Sequence, residues 1–442
     1  MHSDVLIIGA GLGGLSAGAY LSQKGVHVTL IEEQSQVGGY AIAFQRDEFV
    51  FDVALHAIPA CGPEQPFHNL LTQLNIVDEI TFIKLKDAFN VNLGNYNFLI
   101  PNSFSEFFKI LITEFPDEKE GLVKLQSYLY KIGNLYYNTV EGESGIINII
   151  SRFLPKIPDF LTNSYSSTDT FLSKYAKNER LKSLLYQAAV FFGEPMSQFP
   201  AINFIVMFYL LFDTGMYTIK NGGQALTNAL ERKIIEHNGT IIKNMRVESI
   251  QTKKNRATSV ILNDGRKIHC HSIISGMNTP DLVNHLISDQ SISDTYMEMV
   301  DSFKSSLSIL QLHLGLDCPV EELGIKYYLN IFFPDDDIDA SIYKQNNSSM
   351  IDGYSVIAPG INYPNGYSGN CRILSVVGGV SGEKWINLDP VTYKNHKTEA
   401  INDILNKLEI QYPTIRKHLK TIDLATPHTF KPEQKPVHTG HY

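Results

Sequence analysis

The chain lacks three things that would place it in other classes of protein. It has no excess of positive charge: 37 Lys and Arg stand against 46 Asp and Glu, a formal net charge of -9. With no basic field to displace phosphate counterions, a nucleic-acid partner is not expected. It has no paired cysteines. Cys61, Cys270, Cys318 and Cys371 lie far apart without a CxxC spacing, which fits reduced thiols in a cytoplasmic protein better than a disulfide frame or a zinc site. It also has no uncharged run of the roughly 18–20 residues that crossing a bilayer takes. The nearest approach, Ala201 to Phe212, is too short and reads as a buried helix. The N-terminus is apolar and rich in small residues, but no basic segment precedes it and Asp4 sits at its start, so a secretory signal is not expected either. The expectation is a soluble protein that at most lies on a membrane surface.

What is there is a long, folded chain. At 442 residues, with 43% hydrophobic and 19% charged residues, it exceeds one ordinary core, and two or three structural units are expected. The 24 Phe and 22 Tyr suit an aromatic-lined cavity or large cores equally well. Residues 4–8 (Asp-Val-Leu-Ile-Ile) form an apolar, β-branched run, as in a central parallel strand. Glycines follow, then a helical stretch from about Gly13 to Gln23 ended by Lys24-Gly25, then a second strand over 27–32. Together they make one right-handed βαβ unit. Residues 43–53 predict a hairpin with Arg46-Asp47-Glu48 at its turn.

From 64 to 215 the pattern reads as mainly helical, with examples at Phe104–Phe115, Glu120–Val140 and Leu172–Phe192, and Pro155 and Pro158 punctuating the middle. Residues 216–276 return to α/β character: a helix over Gln224–Asn238, then strands at Thr240–Lys243, Arg246–Thr252, Ser259–Leu262 and Lys267–Ser275, with an Asp264-Gly265 turn. A larger sheet is expected over 305–380 and an amphipathic helix within 390–420. The predicted organisation divides the chain into 1–63 and 216–280, a split nucleotide domain, 64–215, a helical substrate or lid domain, and 281–442, a substrate sheet with its C-terminal helix.

The chemistry begins at Gly9-Ala10-Gly11-Leu12-Gly13-Gly14, a GxGxxG run between a strand and the mouth of a helix. Gly9 permits the tight turn, Gly11 lets backbone approach a pyrophosphate, and Gly14 allows close helix–strand packing. A pyrophosphate would then sit on the unpaired N–H groups of the helix N-terminus. Such a run alone is weak evidence, but here a strand precedes it and a helix follows. Glu32, with Glu33 beside it, ends the second strand 18 positions after Gly14, where a carboxylate can accept both ribose hydroxyls and disfavours a 2′-phosphate. Gly38-Gly39 would bring a second backbone loop to the pyrophosphate. Simple NAD dehydrogenases do not need one, so FAD is the expected cofactor.

With these residues in place the chain resembles the phytoene desaturase, carotenoid isomerase and retinol saturase family of FAD enzymes, related to the flavin amine oxidases. The resemblance rests on Val5 to Leu21, Glu32 and Gly38-Gly39-Tyr40, then on Phe49 through His56, and on Gly215-Met216-Tyr217 with Asn221 to Leu226. Farther on it rests on Arg246-Val247, Ile273 to Asn278, and Ala425-Thr426-Pro427 with Thr429. It implies an α/β fold: a glutathione-reductase-type Rossmann FAD domain with an inserted, largely helical and mixed-sheet substrate domain. It also implies that Val247 offers backbone to the adenine, that Ser275 ends a strand at the cofactor, and that His56 lies near the flavin ring. Two departures stand out. Tyr40 replaces an arginine common in relatives, and the glycine-rich turn with which relatives close over the flavin is expected to be lacking after Thr429.

The implied reaction is hydride transfer between flavin and a carbon of a carotenoid- or retinoid-like lipid, giving a desaturase, saturase or cis–trans isomerase. No side-chain nucleophile is expected. An amine-oxidase-like flavoprotein and a non-catalytic paralogue that keeps the nucleotide fold stand as alternatives. His269-Cys270-His271 would alternate faces in a strand, leaving two histidines and no third ligand. Asp335-Asp336-Asp337 lacks the spaced ligands of a calcium loop and reads as solvated. No metal site is expected.

Overall fold

The computed structural model describes residues 2–140, 163, 165–254, 256–287, 292, 294–303, 306–362 and 370–429. Pro155, Pro158 and the terminal Gly440-His441-Tyr442 lie outside the described residues.

The opening apolar run forms the strand His2–Ile8, and it becomes central because both of its faces can be covered. Its sheet has six strands in the order Thr240–Ile242, Val28–Ile31, His2–Ile8, Lys267–Ser275, Arg256–Leu262 and Val247–Lys253. The first four run parallel and the last two antiparallel. Alternation along the opening strand sends Ile7 into a core with the helices Leu12–Gln23 and Gly223–Glu236, and Leu6 and Ile8 into a second core with Val247, Ile250 and Val260. The two helices close on each other at Gly18, where a Cβ would lie 2.9 Å from Ile234 Cδ1.

A second sheet of seven strands runs Leu419–Ala425, Ser308–Leu316, Ile373–Val380, Tyr354–Ile357, Leu329–Phe333, Asp87–Leu93 and Tyr96–Pro101. Two of these strands lie within 64–215, a region otherwise mainly helical as expected. In Asp87-Ala-Phe-Asn-Val-Asn-Leu, the residues Phe89, Val91 and Leu93 recur at period two and are all buried, and Gly94 turns the chain into its partner strand. That alternation is the signature of a half-buried strand. A further short strand, Phe82–Lys84, pairs with Met216–Ile219.

The helices Phe104–Glu114, Lys119–Val140, Thr168–Leu172, Glu179–Tyr186 and Ala201–Asp213 cluster beside this sheet. The expected single helix from Leu172 to Phe192 is broken, because the Asn178 side chain accepts from Leu181 N and caps a new helix there. Phe208 shows how this core is filled. Its ring lies 5.6 Å from Phe204, 5.9 Å from Phe107 and 4.7 Å from Phe212, all fully buried. The Phe204–Phe212 stretch is therefore packed core, as the buried-helix reading expects. The other face of the sheet is covered by the helix Pro390–Gln411 through Ala400, Ile404, Leu405 and Leu408.

Candidate functional site

The two glycine segments meet. Gly38 N donates to Ala10 O at 2.7 Å, and a Cβ on Gly39 would sit 3.1 Å from Gly11 Cα. Gly9 adopts φ 92°, which a side chain resists, and turns the strand into the helix. A Cβ on Gly14 would lie 2.0 Å from Gly9 O, so the helix can approach its strand only because Gly14 has none. Gly11 and Gly13 differ: an added Cβ at either meets nothing within 4 Å. Gly11 is extended, at φ -69° and ψ 176°, and caps the helix beginning at Leu12 without a side-chain hydrogen bond. The result is a cradle of backbone facing open space at an uncapped helix end, which suits a diphosphate.

Glu32 points into this turn. Its Oε2 accepts from Ala10 N and its Oε1 from Gln34 N, both at 2.8 Å, and the residue is buried. Each carboxylate oxygen carries two acceptor positions, so these bonds fix the carboxylate at the cradle's edge with capacity left for a sugar hydroxyl. Glu33 is exposed beside it and Tyr40 stands exposed past the glycine pair. Backbone bonds from Glu32 N to Ile242 O and from Met245 N to Glu32 O bring the chain toward Val247, which is buried against Ile8 and Ile31. Ser275 pairs with Ile8 and accepts from Met277 N at 3.2 Å, while Gly276 N donates to Ile8 O. Gly9 to Gly14, Glu32, Gly38, Gly39 and Ser275 thus lie around the carboxyl ends of His2–Ile8 and Val28–Ile31, whereas His56 stands apart against the second sheet.

The next layer includes the expected hairpin, whose distant contacts carry no sequence signal. The hairpin Ala43–Arg46 and Phe49–Asp52 ends at Asp52, whose Oδ1 accepts from Gly223 N at 3.0 Å. It caps the helix Gly223–Glu236, and Gly222 (φ 73°) has no room for a Cβ beside that carboxylate. Burial lifts Asp52 to about 6 although the Gly223 bond opposes the shift. Gln224 bonds Gln36 and Asn228 and so joins the glycine loop to the same helix. The turn expected to be merely polar is pinned to the second sheet: Arg46 Nε to Asp423 at 2.8 Å, and Thr421 Oγ1 to Asp47 Oδ2 at 2.5 Å.

His56 follows the hairpin and meets the second sheet. Its Nε2 is 3.3 Å from Gln311 Nε2, and its backbone O accepts from Tyr328 O–H at 2.6 Å. Two residues along the strand, His313 bonds Ser375 Oγ at 3.1 Å and packs its ring 5.0 Å from Phe44 and 5.1 Å from Phe51. Burial lowers His56 to about 4 and His313 to about 3, where the neighbouring His56 and Arg46 add to it. Both rings are therefore neutral at physiological pH. Gln311 and His313 carry no local motif. Only their shared parity in Ser308–Leu316, opposite the leucines at 310, 312, 314 and 316, could have marked them.

Elsewhere the structure settles other readings. Cys270 is buried, while His269 and His271 lie exposed on the opposite face and His271 stands 3.4 Å from Asp4. The triple aspartate is engaged: Asp335 accepts from Asp337 N, Asp336 binds Arg180, and Asp337 caps the helix Ile338–Asn346. Asp335 and Asp337 are exposed, so the loop is solvated as expected, with these bonds ordering it. A cavity of about 500 Å³ opens beside the helical core, with a mixed wall in which Phe104, Tyr130 and Phe212 stand among Asn102, Gln126 and Asp213. Among the described residues, no helix is long and apolar enough to cross a membrane.

The parallel sheet, its glycine cradle and a second mixed sheet define the fold of FAD-dependent oxidoreductases. Residues 12–421 match the family described as flavin containing amine oxidoreductase, and the chain belongs to that family. Its cofactor is FAD, and the open backbone at Gly11 and Gly13 fits the diphosphate of that group. The chain is 24% identical to the chloroplastic prolycopene isomerase of Daucus carota over 443 residues, 97% of this chain and 70% of that protein. It is also 24% identical to the 4,4'-diapolycopene oxygenase of Methylomonas sp., over 96% of this chain and 85% of that one. The fold matches the crystal structure of an oxidoreductase from Methanosarcina mazei with TM-score 0.62 at 17% identity, over 96% of this chain and 88% of that chain.

Proposed function

We propose that the chain is an FAD-dependent oxidoreductase acting on a carotenoid- or retinoid-like polyene, as a desaturase, saturase or cis–trans isomerase. The observation that carries this reading is the pair of open glycines at the helix mouth, flanked by a fixed carboxylate, in a chain similar along its length to proteins named for carotenoid chemistry. The bound flavin would supply hydride chemistry at a substrate carbon. Gly11, Gly13 and the first turn of Leu12–Gln23 would hold the diphosphate, and Glu32 the ribose. Asp52 orders the helix Gly223–Glu236 next to them by accepting from Gly223 N. His56 and His313, both neutral, and the amide of Gln311 present uncharged groups, which suits an apolar substrate. An apolar substrate would reach the protein from a membrane surface.

The test is purification of the full-length chain, measurement of its visible spectrum, and incubation with a poly-cis carotenoid in vesicles, followed by chromatography of the isomers. The expected result is retained or readily taken-up FAD and a changed polyene profile. Colourless protein that takes up no added FAD would overturn the reading in favour of a non-catalytic relative. Peroxide release with polyamines and none with the polyene would favour an amine oxidase.

A further inference from the structure

Past the end of the strand that carries Gln311 and His313, three side chains of different chemistry converge. The ligand-type atoms of Asp317, Cys318 and His418 all lie within 4.8 Å of one another. Asp317 Oδ1 is 2.8 Å from His418 Nδ1. We propose that this triad binds a thiophilic divalent cation of the zinc class, at a site independent of the flavin cradle.

Three features support the assignment. The donor set is thiol, imidazole and carboxylate, which zinc takes together and which magnesium and calcium, preferring all-oxygen shells, do not. The backbone is already fixed. Leu316 pairs with Leu419 across adjacent antiparallel strands, and Asp317 N donates to His418 O at 3.0 Å just beyond that pair. Ligands on a locked strand end need only side-chain rotation to reach the roughly 3.3–3.8 Å ligand–ligand spacing that tetrahedral zinc imposes. Finally, Cys318 is 6% exposed while Asp317 and His418 are partly open to solvent, so the thiol is shielded and an entry path exists.

A carboxylate–imidazole pair at a surface contributes little by itself, and it has no use for a buried thiol beside it. Lys420 is the competitor. Its ammonium stands 3.8 Å from Asp317 Oδ2 on a side chain that is 57% exposed, so it can swing away when a dication arrives. The cation would join the edge strand, Leu419–Ala425, to its neighbour Ser308–Leu316 in the second sheet. No local motif marks the triad, since 101 positions separate Asp317 from His418.

The experiment is titration of the full-length, chelator-treated chain with Co²⁺, read as a difference spectrum so that flavin absorbance cancels. The expected result is one Co²⁺ per chain with a thiolate-to-metal charge-transfer band and visible d–d bands, both displaced by Zn²⁺. Cys318→Ser abolishes the charge-transfer band, whereas Cys371→Ser, at the partly exposed cysteine, leaves it intact. Should Cys318→Ser fold poorly, His418→Ala at its more exposed position weakens Co²⁺ binding by more than about 100-fold, beyond the loss of a mere outer-shell partner. Lys420→Ala strengthens it. A wild-type chain that gives no charge-transfer band, or a band that survives Cys318→Ser, overturns the proposal. These readouts do not depend on FAD or on any polyene reaction.

Discussion

Glycine means opposite things in the two sheets. In the second sheet the chain fills the space itself: a Cβ on Gly315 would strike the Phe49 ring at 2.4 Å, one on Gly353 the Phe333 ring at 2.4 Å, and one on Gly378 Ile351 at 2.5 Å. Those glycines seat the protein's own side chains. At Gly11 and Gly13 nothing comes within 4 Å, although both lie between segments packed as tightly as Gly14 on Gly9. Packing explains the first group and leaves the second unexplained, so a ligand is the remaining reason for bare backbone there. The lesson is that a glycine motif is read best by what its missing side chain would touch.

The comparison breaks most visibly in the filled region. Phe208→Ala removes a ring that touches five other phenylalanines in the helical core, and a loss of about 3–5 kcal/mol is expected. Thermal unfolding should show it as a large fall in Tm, while FAD affinity of the folded fraction stays unchanged. Should FAD affinity fall in step with stability, the two regions are not independent.

Charge on buried groups gives the next largest effects, and they oppose each other. His56 titrates near 4 and His313 near 3 when folded, against an ordinary value of 6.5. Between these values the unfolded chain binds protons that the folded one does not, so stability is full above pH 6.5 and falls as pH drops toward 4. At 1.36 kcal/mol per unit, His56 is worth up to about 3 kcal/mol and His313, whose window runs down to pH 3, up to about 5 kcal/mol. Asp52 runs the other way. Its folded value of about 6 exceeds the ordinary 3.8, so its contribution is full below pH 3.8 and is lost as pH rises to 6. Asp52→Asn, which keeps an acceptor for Gly223 N, should remove that counterweight. Its Tm between pH 4 and 6.5 is expected to fall more steeply with acid than the wild type's. His313→Gln should flatten the same curve. Parallel curves for all three proteins would refute the assignment of these groups.

The parts of this fold that sequence revealed are those whose causes are local. Strand, glycine turn, helix and Glu32 fall within residues 2–32, where periodicity and turn chemistry act over short spans, and the helices at 104, 201, 223 and 390 announce themselves by apolar spacing. What escaped depends on distant partners. The strand Asp87–Leu93 is stabilised by Leu329–Phe333, more than 200 residues away, and its alternation was overlooked inside a helical neighbourhood. Asp52 matters because Gly223 comes to it, and His313 because Ser375, Phe44 and Phe51 surround it. No window around those residues contains the neighbours that give them a role. The same holds for Glu32, whose position was readable but whose hold on the Ala10 amide was not.

The smallest effect on stability is also the sharpest test of the opening contrast. Gly11 has a negative φ that any residue adopts and empty space where its side chain would be. Gly11→Val should therefore change stability by no more than about 0.5 kcal/mol, as for a surface substitution. The added methyls would occupy the space reserved for the diphosphate and push it off the helix end, so FAD affinity should fall by at least about tenfold, or 1.4 kcal/mol. Gly14→Val, three residues on, is the matched control, because its Cβ collides with Gly9 O and should cost stability first. Calorimetry and flavin fluorescence titration on the two variants separate the cases. A Gly11→Val protein that unfolds like Gly14→Val would mean that the cradle is held by packing after all, and one that binds FAD as tightly as wild type would move the diphosphate away from this turn.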